Sequence, residues 1–148
     1  MHFTSYLRYI FKLAAYCNSM EKAEYQLYLS EDYEFTLYSD AKYKAVLHDE
    51  PWTKGHVCVL TLKPFMSLAQ MPPVYRDGLL KVAKTVCEQL TTKLHAKSFH
   101  IMINEGAIAN PGNIVTMEII PRYSKREMQF EHRVHKDRLD KIYSLLIH

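Results

Sequence analysis

The sequence predicts one α+β domain with an antiparallel sheet of about five strands, a central helix and flanking helices at the two ends. Three observations support this fold class. Short apolar and β-branched runs are bounded by Pro, Gly and Asp, which is typical of strands joined by turns. One long run has helical periodicity, and it separates three strand-like runs from two more. The length of 148 residues, with 48% hydrophobic and 24% charged residues, suits a single globular core.

Three strand-like runs precede the predicted helix. They are FTLYS at 35–39, YKAVLH at 43–48 and HVCVLTL at 56–62. The tight turn at 40–42 makes the first two a hairpin, and a loop at 49–55 containing Pro51 and Gly55 leads to the third. The third run is the most apolar and β-branched, which favours a central position in the sheet.

Residues 74–95 are predicted to form the central helix. Apolar residues recur there at intervals of three and four, so that they line one helix face: Leu79, Val82, Ala83, Val86, Leu90 and Leu94. SFHIMIN at 98–104 predicts a fourth strand, and the run at 114–120 predicts a fifth, which Pro121 is expected to end.

The fifth strand raises the question of function. Side chains alternate between the two faces of a strand, so Val115, Met117 and Ile119 form an apolar face. The other face has Thr116 and Glu118 in its middle. This face is either an ordinary solvated surface or the floor of a site, and the alternation leaves both interpretations open.

The chain ends and the overall charge limit the other classes of function. We divide the chain into an N-terminal extension at 1–19, a central domain at 20–123 and a C-terminal helical extension at 124–148. Residues 1–19 are free of acid and are interpreted as a docked helix, a dispensable extension or a mitochondrial targeting segment. Otherwise an intracellular location, cytoplasmic or nuclear, is expected. The first segment is too polar to span a membrane, and a net charge of +3 does not indicate nucleic-acid binding.

The three cysteines do not form a recognisable motif. Cys17, Cys58 and Cys87 lack the short spacings of zinc knuckles and redox pairs. Cys58 lies in an apolar strand run and Cys87 in the helical pattern. We therefore expect buried free thiols.

Two segments resemble the signatures of the histidine triad (HIT) superfamily. Residues 45–68 resemble the first signature, Pro-x-Thr-x-Gly-His, through Pro51, Thr53, Gly55 and His56. Residues 103–122 resemble the second, through Asn-Glu-Gly at 104–106 and Ile-Ile-Pro-Arg at 119–122. The resemblance covers roughly residues 33–123. It implies a compact α+β homodimer with a nucleotide site on the sheet, in which the middle histidine of a triad attacks an α-phosphate.

The chain departs from this family at the reactive positions. Aligned on Ile-Ile-Pro-Arg, the three histidine positions are occupied by Ile114, Thr116 and Glu118. A threonine hydroxyl needs a neighbouring base to act as a nucleophile, and a carboxylate repels an incoming phosphate. The resemblance therefore implies a catalytically degenerate relative of the nucleotide phosphoramidases and dinucleoside polyphosphate hydrolases, a pseudoenzyme that binds a nucleotide or a protein. The alternative is a divergent hydrolase or nucleotidyltransferase with a non-histidine nucleophile or a bound metal.

The resemblance also implies which positions face a bound nucleotide, such as a purine nucleoside monophosphate. They are Val46, His48, His56, Asn104, Thr116 and Glu118. No cofactor is required by this interpretation. His and carboxylate groups are nevertheless competent zinc ligands, and four of them could meet if the strands are adjacent: His48, Asp49, His56 and Glu118. Asp49 is expected to point away from this face if the second strand continues through it.

Overall fold

The computed structural model describes residues 26–106, 108 and 114–128. Within them the elements follow the predicted order: β1 (Thr36–Ser39), β2 (Tyr43–Leu47), β3 (Val57–Thr61), α1 (Pro73–Leu94), β4 (Ser98–Asn104) and β5 (Thr116–Arg122). A 3₁₀ turn at Lys125–Met128 follows β5. The predicted N-terminal extension and all but the first residues of the C-terminal extension lie outside the described residues.

The five strands form one antiparallel sheet, which confirms the predicted fold class. Their order is β1-β2-β3-β5-β4, so β3 lies in the middle and β1 and β4 are the edge strands. All five residues of β3 are buried, as its apolar, β-branched sequence predicts.

In the described residues no helix is long and apolar enough to cross a membrane.

The helix α1 covers one face of the sheet. It starts at Pro73, where the missing N–H costs no helical hydrogen bond, and ends at His95, which adopts the left-handed conformation at φ 60°. Its buried side chains include most of the predicted apolar stripe: Leu79, Val82, Ala83, Val86 and Leu90. They pack in one cluster with inward residues of the sheet such as Val59, Met117 and Ile119.

The opposite sheet face, called the site face below, is covered by the chain preceding β1. Residues 26–33, the N-terminal strap, place Tyr28 in a cluster with Val46, Cys58 and Leu60. The Tyr33 hydroxyl fixes the strap by donating a hydrogen bond of 2.8 Å to the Leu47 carbonyl. Both faces of the sheet centre are therefore buried.

Six of the ten predicted strand ends are wrong by one or two residues: β1 starts at Thr36 rather than at 35, β3 covers 57–61 rather than 56–62, and the other three ends belong to β2 and β5. β5 continues through Pro121, which pairs with Phe99 of β4 beyond the end of the β3 ladder. Because no strand lies on the other side there, the missing N–H of proline removes no ladder hydrogen bond. β5 starts at Thr116 rather than at 114, and β2 ends at Leu47, before His48.

The described cysteines are free thiols. Cys58 is buried in β3, as expected, whereas Cys87 on α1 is only half-buried. Burial nevertheless raises the pKa of the Cys87 thiol above its ordinary value, with a smaller contribution from Glu88. Cys17 lies outside the described residues.

Candidate functional site

Strand register brings most of the predicted site residues onto the site face. Cys58 pairs with Val46 on one side and with Glu118 on the other, which places all three in one row across the sheet. The neighbouring row contains Thr116 and its partner Asn104 on β4. Residues two apart on a strand point to the same face, so these rows form one continuous surface.

The central contact of the site is between His56 and Glu118. His56 lies just before β3, and its Nε2 atom is 2.9 Å from Oε2 of Glu118. The exposed fractions are only 2% for His56 and 8% for Glu118. The other ring nitrogen, Nδ1, accepts a hydrogen bond of 3.2 Å from the Trp52 backbone N–H. Because Nδ1 is an acceptor, Nε2 carries the proton, and this N–H donates a hydrogen bond to the carboxylate.

His48 extends this pair toward the edge of the sheet. Its ring stacks on that of His56 with 4.5 Å between centroids and 17° between planes. His48 Nδ1 accepts a 3.0 Å hydrogen bond from the Glu50 backbone N–H and lies 3.4 Å from Oδ1 of Asp49. The condition under which Asp49 was expected to point away from this face is not met, because β2 ends at Leu47 and strand alternation no longer applies.

Tyr28 of the strap closes the other side of the site face. Its hydroxyl donates a hydrogen bond to Asp49, and the edge of its ring faces His48 at 5.9 Å between centroids. Tyr28 is 3% exposed and packs over Val46, which is fully buried. Val46, which the resemblance places facing a bound nucleotide, is therefore covered by the protein's own Tyr28 side chain.

The polar face of β5 is not a solvated surface. Thr116 and Glu118 are each 8% exposed, and every residue of β5 is buried. Ile114 lies before the strand and is half-buried. Of the two interpretations left open by the alternation, the structure excludes the solvated one.

The sequence analysis did not identify two residues that contact this site. Trp52 lies next to His56, with 5.8 Å between ring centroids, and is 62% exposed. It could have been suspected as a large aromatic residue within the first signature loop. Tyr28 lies in a tyrosine-rich stretch without clear periodicity, and no local signal shows which part of the sheet it covers.

Three of the four candidate metal ligands form a cluster in the described part of the chain. His48, His56 and Glu118 each offer one ligand atom, and these atoms lie within 4.8 Å of one another. Tetrahedral zinc with nitrogen and oxygen ligands at about 2.1 Å requires them about 3.4 Å apart. The proton on Nε2 of His56 also occupies the atom that faces the carboxylate. The cluster fits zinc only if it contracts and His56 releases that proton.

Comparison with known proteins identifies the domain. Residues 30–124 match the family model described as the HIT domain. An uncharacterized HIT-like protein from Mycobacterium tuberculosis is 29% identical over 73 residues, which cover 49% of this chain and 51% of that protein. The chain thus spans about half the length of the curated relatives it matches.

Solved structures share the fold. A zinc-bound histidine triad family protein from Mycobacterium smegmatis superposes with a TM-score of 0.59 at 25% identity, covering 72% of this chain and 76% of that one. A histidine triad nucleotide-binding protein from Candida albicans gives a TM-score of 0.59 at 21% identity, covering 76% and 83%. At 21% identity, the similarity to the Candida albicans protein shows a shared fold only.

Proposed function

This chain belongs to the HIT-domain family, and on that premise we propose that it binds a nucleoside-type ligand without cleaving phosphate esters or anhydrides. One observation carries the proposal. A buried carboxylate, Glu118, holds a hydrogen bond from His56 where the family resemblance expects a histidine. A carboxylate only accepts hydrogen bonds and repels the phosphate oxygens that a reactive site must approach.

The remaining groups do not replace the missing nucleophile. The resemblance aligns Thr116 with the central triad position, and a threonine hydroxyl would need a base to become reactive. His56 does not serve as that base, because its Nδ1 accepts the Trp52 N–H and its Nε2–H donates to Glu118. A site without an activated nucleophile or donors to the phosphate lacks several kcal/mol of transition-state stabilisation, on the order of a 10³-fold loss per missing contribution.

The same groups favour an uncharged polar ligand. The Glu118 carboxylate can accept hydrogen bonds from sugar hydroxyls, and the exposed Trp52 ring beside His56 offers an aromatic surface for a base. Since Tyr28 covers Val46, a base would lie against Trp52 rather than at the position implied by the resemblance. Any phosphate on the ligand would then face solvent.

The test combines turnover with affinity. Metal-free protein is incubated with an adenosine phosphoramidate and a diadenosine polyphosphate, and AMP release is measured. We expect no release above the uncatalysed rate. Binding is measured by calorimetry and by the fluorescence of Trp52, the only tryptophan in the chain. Adenosine should bind at least as tightly as AMP, because the phosphate gains nothing near Glu118.

A matched pair of variants tests how the negative charge of Glu118 affects AMP binding. Glu118→Gln keeps the shape of the side chain and removes the repulsion, so AMP affinity should rise relative to adenosine. Glu88→Gln, an exposed position on α1, should leave both affinities unchanged. Turnover that Thr116→Ala abolishes would contradict the proposal, as would AMP binding much more tightly than adenosine to the unaltered protein.

A metal-assisted hydrolase is the second candidate, supported by the His48, His56 and Glu118 cluster and by the zinc in the name of one structural relative. Zinc would supply a Lewis acid and an activated water. AMP release that appears only with added zinc and disappears in His48→Ala would favour this candidate. Zinc that binds without turnover, with affinity falling as the pH drops, would indicate a metal site only.

We also propose that two copies of the chain associate through β4. This strand is an edge of the sheet, so its outer backbone groups have no strand partner in the described residues. Ile101 and Ile103 on β4 are 50% and 41% exposed. A second copy is an occupant that would satisfy both the backbone edge and these apolar side chains.

A further inference from the structure

A separate pocket lies on the site face at the far end of β2. Its volume is about 380 Å³, within the range of about 300–1,000 Å³ typical of small-molecule sites. Its lining includes Leu29, Glu31, Thr36, Asp40, Lys44 and Leu62. Lys44 lies two residues along β2 from Val46, whose row contains Cys58 and Glu118, and none of His48, His56 and Glu118 lines the pocket. The pocket is therefore distinct from the His48, His56 and Glu118 cluster.

Lys44 gives the pocket its chemistry. This residue is only 4% exposed, and its Nζ donates one hydrogen bond, to the carbonyl of Ser30 in the strap. An ammonium has three N–H donors. Within the part of the chain that the structure describes, no carboxylate lies within ion-pair distance of this Nζ. A buried ammonium without a carboxylate partner is energetically unfavourable, so an added anionic oxygen would complete the site.

One of the two acidic groups in the pocket lining, Asp40, already accepts hydrogen bonds from other residues. The Asp40 carboxylate accepts the Tyr38 hydroxyl and the backbone N–H groups of Lys42 and Tyr43. These bonds fix it in the β1–β2 turn, where it stabilises the turn rather than the Lys44 ammonium. Among the described residues, the Lys44 ammonium therefore has no carboxylate within ion-pair distance, although Glu31 and Asp40 also line the pocket.

We propose that this pocket binds a small monocarboxylate with an apolar body. The carboxylate accepts hydrogen bonds from Lys44 Nζ, and the apolar body lies between Leu29 and Leu62. Two acids, Glu31 and Asp40, line the same pocket and limit the favourable ligand charge to one. A phosphate dianion would meet two carboxylates and one ammonium, so it should bind more weakly than the carboxylate.

The experiment compares three probes on the full chain. 4-Methylpentanoate supplies the carboxylate and the apolar body, 4-methylpentanamide has the same shape without the charge, and inorganic phosphate supplies charge without the body. Methyl resonances of Leu29 and Leu62 are followed by NMR. We expect saturable shifts with 4-methylpentanoate and at least tenfold weaker binding of the amide and of phosphate, the factor expected for one charge-assisted hydrogen bond.

Two lysine variants test whether the binding of 4-methylpentanoate depends on Lys44. Lys44→Met preserves the apolar stem and should weaken 4-methylpentanoate binding about tenfold or more, whereas the exposed Lys42→Met should bind it normally. If Lys44→Met does not fold, the carboxylate-to-amide comparison on the unaltered chain decides alone. Equal binding of acid and amide, an unchanged affinity in folded Lys44→Met, or no shifts at all would overturn the proposal.

Discussion

The Nε2–H of His56 donates a hydrogen bond of 2.9 Å to Oε2 of Glu118, and this bond joins the residue before β3 to the middle of β5. The Trp52 backbone N–H fixes the tautomer from the other side of the ring. Two residues that are 62 positions apart in the chain thus form one buried polar unit. Its energetic consequences can be measured without knowing the ligand.

Removing the Glu118 carboxylate should destabilise the fold. Glu118→Ala leaves the Nε2–H of His56 buried without an acceptor, and we expect a loss of about 1–3 kcal/mol in the free energy of unfolding. Glu118→Gln retains an acceptor oxygen and should cost clearly less. Urea denaturation followed by Trp52 fluorescence measures both variants. Equal losses in the two would show that the hydrogen bond to His56 is not the stabilising element.

Gly78 should not tolerate even a methyl group. A Cβ added there would lie 1.8 Å from the Tyr43 hydroxyl oxygen, which donates a hydrogen bond of 3.1 Å to the Val74 carbonyl. Gly→Ala normally stabilises a helix by about 0.5–1 kcal/mol. Here we expect Gly78→Ala to lose about 1–3 kcal/mol through overpacking.

The Gly78 effect can be separated from helix propensity by a double-mutant cycle. Tyr43→Ala removes the ring that a new Cβ would meet. In this background Gly78→Ala should regain the usual sign and stabilise the protein. A loss of similar size in both backgrounds, measured by urea denaturation, would contradict the steric explanation.

The stability that Asp40 contributes in the β1–β2 turn should depend on pH. Burial would raise the pKa of Asp40, but hydrogen bonds from the Tyr38 hydroxyl and from the Lys42 and Tyr43 N–H groups outweigh it and hold the pKa below the ordinary 3.8. A carboxyl whose pKa is lower in the folded state adds stability that is fully present above the unfolded pKa. That stability is lost as the pH falls through the still lower folded value.

Asp40→Asn tests this pH dependence. The variant should be less stable than the unaltered protein above pH 3.8 by at most about 1 kcal/mol, since water screens this exposed side chain, and the difference should shrink at lower pH. Asp32→Asn, another exposed aspartate before β1, is the control. Urea denaturation between pH 2.5 and about 7 measures both. A difference that is constant with pH would exclude the carboxylate as its cause.

If two copies associate through β4, a charged residue on this strand should lower the mass of the particle in solution. Ile101→Lys introduces a charge on the exposed edge, and we expect it to convert a dimer to a monomer in sedimentation experiments. Phe35→Lys changes a residue of similar exposure, 52%, next to the opposite edge strand and should leave the mass unchanged. A monomeric unaltered protein, or a dimer that persists in Ile101→Lys, would refute this interface.

Local sequence patterns predicted most of the elements because hydrophobic periodicity is a local property. The stripe from Leu79 to Leu90 predicts both α1 and the face that it buries, and the apolar run at 56–62 predicts the central strand. The strand ends were less predictable. Pro121 can continue β5 because it lies beyond Val57, the first residue of β3, and no pattern within β5 shows where its neighbour begins.

The sequence by itself determined the α+β class, the order of the elements and the HIT resemblance, and it predicts that Ile114, Thr116 and Glu118 occupy the triad positions. It could do so because periodicity and motif spacing are properties of short stretches of chain. Only the tertiary structure decided that Glu118 is buried against His56, that Tyr28 covers Val46, and that Lys44 lines a pocket. Each of these contacts joins residues from different elements, and burial and pairing depend on how those elements pack together.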